Sequence, residues 1–122
     1  MERAEFEVLV GEALDELPLE FARYLENVEV VVEEEPDAEL LRGMGLDPVR
    51  NTLFGLYQGV PLQRRGFGFG NALPDKITIF RRPLVRACRT PDRIRREIRR
   101  TVIHEIGHHF GFDDRALRRE GY

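Results

Sequence analysis

Apolar residues at three- and four-residue spacing open the chain: Phe6, Leu9, Val10, Ala13, Leu14 and Leu17, with Glu2, Glu5, Glu12 and Glu16 between them. That period predicts a helix with one buried face. Pro18 closes it, and Phe21, Tyr24 and Leu25 suggest a further helical turn or two. A β-like run follows, Val28-Glu29-Val30-Val31-Val32-Glu33, in which Glu29 and Glu33 mark a solvated face and the valines suit a pleated surface. Residues 37–50 predict a short helix and a loop, because Gly43 and Gly45 oppose anything longer. Residues 53–60 predict a second strand. Ile77-Thr78-Ile79-Phe80 predicts a third, bounded by Pro74-Asp75 and Pro83. The Gly66–Asn71 stretch between them reads as a connecting loop, since no Gly-Lys-Ser/Thr follows to make it a phosphate cradle.

The last long element carries the clearest boundaries. Thr90 offers an N-cap hydroxyl, Pro91 suits the first helical position, and Asp92 faces the positive dipole end. Ile94, Ile98, Val102, Ile106 and Phe110 continue as an apolar stripe, and Gly111 suits a left-handed C-cap. The predicted helix runs from Pro91 to Phe110. The whole is expected to be one α+β domain over residues 1–122, with a small mixed or mostly antiparallel sheet of three to four strands packed on an N-terminal and a C-terminal helix.

Composition narrows the class. With 122 residues and one cysteine, Cys88, the chain can build a core without disulfides, which suits a reducing compartment. Met1-Glu2-Arg3-Ala4-Glu5 carries acidic charge and lacks an apolar stretch, so no secretory leader is expected; no apolar run is long enough to span a bilayer, and a cytoplasmic protein is expected. Charge is lopsided: residues 1–47 hold 15 carboxylates and 3 arginines, while residues 48–122 hold 7 carboxylates and 16 bases. The two halves are expected to pair on folding. A basic Arg93–Arg100 face for nucleic acid is the competing reading.

Within the last helix stands His104-Glu105-Ile106-Gly107-His108. Histidines four apart differ by about 40° around the axis, so both imidazoles leave one face, beside the apolar stripe. Neutral imidazole suits Zn²⁺, and a catalytic zinc takes three protein ligands with one position open. Glu105, displaced by about 100° from His104, is placed to exchange a proton with a metal-activated water. The run His108-His109-Phe110-Gly111-Phe112-Asp113-Asp114 completes H-E-x-x-H-x-x-G-x-x-D. Asp114 is the favoured third ligand and Asp113 its competitor; Glu120 is a more distant one. His109 falls within the apolar arc and is expected to be buried or to support the ligands. Tyr57 and Tyr122 are expected to pack, though either could serve as an oxyanion donor. Cys88 reads as an inert small residue.

That motif resembles the zincin metallopeptidases, in the metzincin-type arrangement where glycine breaks the helix and the chain turns back to supply a third ligand. Most of the chain resembles the short bacterial proteins described as minimal zincins. The resemblance implies an α+β fold and peptide-bond hydrolysis by a zinc-activated water with Glu105 as general base. It also implies a single Zn²⁺ on His104, His108 and Asp114, with Mg²⁺ or Mn²⁺ admissible on an Asp ligand. The substrate is then a peptide or an exposed protein loop, paired along a sheet edge. The strand bearing Lys76, Ile77, Thr78, Ile79 and Phe80 is the expected edge. The competing reading is a zincin-fold binding module whose metal is structural or absent.

Overall fold

The computed structural model describes residues 1–59, 73–119 and 121–122. The Gly66–Asn71 loop, the expected strand end at Val60 and the candidate ligand Glu120 lie outside them. Helix α1 (Arg3–Asp15) leads into a short α2 (Leu19–Ala22) and a 3-10 turn (Arg23–Leu25). Strand β1 (Val28–Glu33), helix α3 (Ala38–Gly43), strand β2 (Gly55–Gln58) and strand β3 (Asp75–Phe80) follow. Helices α4 (Arg81–Ala87), α5 (Pro91–Phe110) and α6 (Asp114–Arg119) complete the order. This is the expected α+β class: a three-stranded mixed sheet packed against the N-terminal helix and the long α5.

The core forms where the apolar stripes meet. Phe6, Leu9, Val10 and Ala13 of α1 pack with Ile94, Ile98, Val102, Ile103 and Ile106 of α5 and with Ile77 and Ile79 of β3. Each such side chain taken wholly out of water contributes about 1.5–3 kcal/mol. Phe110 departs from the expected stripe. It is 43% exposed and lies against Tyr24, ring centres 4.7 Å apart, because the stripe drifts off the core by the last turn.

The strand order is β1-β3-β2, with β1 parallel and β2 antiparallel to β3. Lys76 to Phe80 therefore occupy the central strand and not an edge. Lys76 pairs with Glu29 on one side and Gln58 on the other, and Ile79 with Val32 and Gly55. A peptide cannot add to a strand flanked on both sides, so the expectation of substrate pairing along Lys76–Phe80 is corrected. The edge that borders α5 is β2.

Helix α4 begins directly after β3, which the reading of Pro83 as a terminator did not foresee. Proline is tolerated in a first helical turn, where its missing N–H has no intrahelical partner to lose.

Among the described residues, part of the lopsided charge resolves as pairing between the halves. Arg95 meets Glu12 and Glu16, Arg99 meets Glu16, Arg86 meets Glu35, and Arg81 grips Glu34 with two 2.7 Å contacts. Hydrogen bonds from Arg81, reinforced by its charge, hold the Glu34 carboxyl below its ordinary 4.5. A carboxyl lowered on folding stabilises above its unfolded value, and that contribution is lost as pH falls through the lower folded one. Arg81→Gln is therefore expected to be less stable than the parent near neutrality. The gap should close in acid, below 4.5, which urea denaturation at about pH 7 and about pH 3 will measure. A gap unchanged by acid would remove the ion pair as its cause.

Candidate active site

Helix α5 is fixed at both ends by local chemistry. The Thr90 hydroxyl accepts from the Arg93 N–H at 3.2 Å, and Pro91 occupies the first turn. Gly111 takes φ 79°, and the N–H groups of Gly111 and Phe112 both turn back to the Gly107 carbonyl. The helix spans Pro91–Phe110, as its signals predict.

Gly107 has its own role inside the motif. A Cβ there would lie 2.8 Å from Leu117 Cδ1, so the missing side chain lets Leu117 of α6 seat on α5. The chain thus turns back along α5, in the manner the motif implies. Asp113 spends its carboxylate on the turn into α6, accepting from the Arg115 N–H at 2.9 Å. Asp114 opens α6, and its side chain lies outside the described residues.

His104 and His108 stand one turn apart with ring centres 6.1 Å apart. His104 is half-buried, whereas the His108 side chain is 56% exposed. Glu105 is half-buried. Its Oε1 accepts the backbone N–H of Tyr57 at 2.9 Å, and its Oε2 lies 3.7 Å from His108 Nδ1. Edge strand β2 thus holds the carboxylate through a main-chain donor. No residue type signals that contact, because almost any residue supplies an N–H.

His109, expected in the core or beside the ligands, does neither. Its ring stacks on Tyr57 with centres 3.8 Å apart, and its Nε2 lies 3.9 Å from Asp75 Oδ2, which accepts the Tyr57 hydroxyl at 2.7 Å. Tyr57, His109 and Asp75 clamp β2 against the last turn of α5 and against β3. Tyr57 therefore packs, as expected, and its hydroxyl is bound to Asp75. Tyr122 packs edge-on against Phe21, ring centres 5.1 Å apart, and its carbonyl meets His104 Nε2 at 2.5 Å. Burial pushes the Cys88 thiol above its ordinary 9.0, the direction of an unreactive sulfur.

A cleft of about 390 Å³ opens beside these groups, with His104, Glu105 and Arg100 on the α5 wall and Leu53, Phe54 and Gly55 on the β2 side. Gly55 is pressed close to the helix. A Cβ there would come within 2.7 Å of Thr101 Cγ2 and 3.1 Å of the Thr78 carbonyl.

A family model for zincin-like metallopeptidases matches residues 25–122, and the chain belongs to that family. No curated protein matches it. Family membership implies zinc, and the donor set can be weighed against that ion. Two neutral imidazoles on one helix face have the right chemistry. Two rings sharing a tetrahedral ion at about 2.0–2.1 Å from each nitrogen would have centres about 5.2 Å apart, so this pair must close by about 1 Å. The Tyr122 carbonyl must also leave His104 Nε2 if that nitrogen is to bind. Among the described residues, no group of three His, Cys, Asp or Glu side chains stands ready to hold a metal. The two histidines fit the ion in type and in face. Among the described residues, no helix is long and apolar enough to cross a membrane.

Proposed function

We propose that the chain is a zinc-dependent peptidase whose metal is held by His104, His108 and Asp114 and whose general base is Glu105. The observation that carries this reading is the Glu105 carboxylate, held by the Tyr57 N–H at the mouth of a cleft, beside two imidazoles one turn apart. When bound, zinc supplies Lewis acidity that polarises a carbonyl and acidifies a water.

The chain's own groups supply the rest. Tyr57 fixes Oε1 of Glu105, which leaves Oε2 to accept a proton from water and return it to the departing amine. The cleft beside β2 lets an extended peptide lie along Leu53, Phe54 and Gly55, its scissile carbonyl brought towards His104. Half-burial of His104 and Glu105 lowers the local dielectric and strengthens each of these interactions.

A second reading has its own support. The Tyr122 carbonyl occupies His104 Nε2, an arrangement that suits a metal-free binding module. Metal analysis separates the two. The peptidase reading expects about one zinc per purified chain, lost in His104→Ala and in His108→Ala, as three-ligand sites require. Zinc content unaffected by either change would overturn it. The Tyr122 contact should also reduce apparent affinity, since binding competes with it. Tyr122→Ala, which removes the ring that anchors the tail on Phe21, is expected to tighten zinc binding by roughly threefold. Weaker binding in that variant would instead make Tyr122 part of the metal site.

A further inference from the structure

A second cleft of about 500 Å³ lies along α5, bordered by Tyr122, whose main-chain oxygen contacts His104. Arg96, Arg99 and Arg100 of α5 and Arg118 of α6 line it, with Ile103 and Tyr122. The arginines of α5 divide into two sets. Arg95 is spent on Glu12, Glu16 and Asp92, and Arg99 on Glu16. Arg96, Arg100 and Arg118 have no carboxylate partner among the described residues. All three are exposed and border the same concavity. Three guanidinium groups held this close repel one another, which an incoming anion relieves.

Arg100 lines both clefts and so joins this one to the wall bearing His104 and Glu105. The β2 side differs in sign, since Glu97 and Glu105 line it together with Arg100. From this juxtaposition we infer that the site selects acidic peptides, with an Asp or Glu side chain seated among Arg96, Arg100 and Arg118, within a residue or two of the bond nearest His104. The inference rests on the peptidase reading for the position of that bond, but not for the binding itself.

A carboxylate suits the cleft better than a nucleic acid does. Fixing a phosphate backbone takes an extended run of cations, and the pairing of Arg95 and Arg99 breaks up the run that the sequence offers. Planar guanidinium groups pair with carboxylates in bidentate fashion.

Fluorescence anisotropy with full-length Glu105→Gln protein measures binding without turnover. The probes are a labelled glutamate-rich decapeptide, its glutamine isostere and a labelled single-stranded DNA. The glutamate peptide is expected to bind about tenfold tighter than its isostere at low salt, with the preference shrinking as salt rises. Arg100→Gln and Arg96→Gln should each remove most of the preference. Arg50→Gln, solvated and lining neither cleft, should leave it intact. Equal binding of the two peptides, or a preference untouched by both cleft variants, would overturn the inference. DNA bound more tightly than the glutamate peptide, and lost with the same arginines, would replace it with a nucleic-acid surface. Since no arm of the experiment reads hydrolysis, acidic selectivity can stand if the peptidase reading fails, and can fail while hydrolysis stands.

Discussion

Glu105→Gln is expected to lower peptide hydrolysis by about 10²–10⁴-fold while zinc content and thermal stability stay at parental levels. The prediction is sharp because, among the described residues, the carboxylate's hydrogen bond is made at Oε1 alone. The Tyr57 N–H needs an acceptor at Oε1, and the oxygen of a glutamine supplies one. Glutamine therefore settles with its oxygen towards Tyr57 and its NH₂ where Oε2 stood. The side chain keeps its position and loses its capacity to take a proton. The loss should fall on kcat, with KM little changed, because the interaction removed is made in the transition state. Hydrolysis unchanged in this variant would take Glu105 out of the mechanism.

Gly55→Ala is expected to cost about 1–3 kcal/mol of stability, a drop in Tm on the order of 5–15 °C, and to reduce activity as well. The added Cβ would stand 2.7 Å from Thr101 Cγ2 and 3.1 Å from the Thr78 carbonyl. Neither neighbour yields easily. Threonine is stiff at χ1, and Thr78 is buried in the central strand. The strain is relieved by lifting β2 off α5, and that carries the Tyr57 N–H away from Glu105. Thr101→Ser removes Cγ2 and should restore part of both the stability and the activity when combined with Gly55→Ala. Thermal unfolding of the three variants measures this. Parental stability in Gly55→Ala would show that β2 is not pressed on the helix.

The contrast between what the chain announces and what it conceals follows the range of the forces involved. The bounds of α5 are legible because Thr90, Pro91 and Gly111 act within one turn of where they stand. Its H-E-x-x-H run and the resemblance to zincins are legible for the same reason, the spacing being local, and the family match agrees with them. Strand order is a different matter, since it depends on pairing between segments far apart in sequence. Even so, Ile77-Thr78-Ile79-Phe80 carried a usable signal. Three of the four are apolar, which suits a buried strand, and all four are buried in the central position.

The contacts that arrange the site were the least legible. Tyr57 reaches Glu105 through its backbone, and Tyr122 reaches His104 through a carbonyl. Such groups belong to every residue, so only the assembled fold selects them. His109 shows the same limit. Its angle on the helix pointed to the core, but the last turn of α5 has left the core by then and the ring stacks on Tyr57.

The most direct measurement is a crystal structure of the zinc-soaked protein with anomalous data collected at the zinc edge. The account predicts one peak about 2.0–2.1 Å from a ring nitrogen of each of His104 and His108, with Asp114 as third donor and the Tyr122 carbonyl displaced from His104. A peak remote from both rings, or a zinc-loaded crystal in which Tyr122 still sits on His104 Nε2, would contradict it.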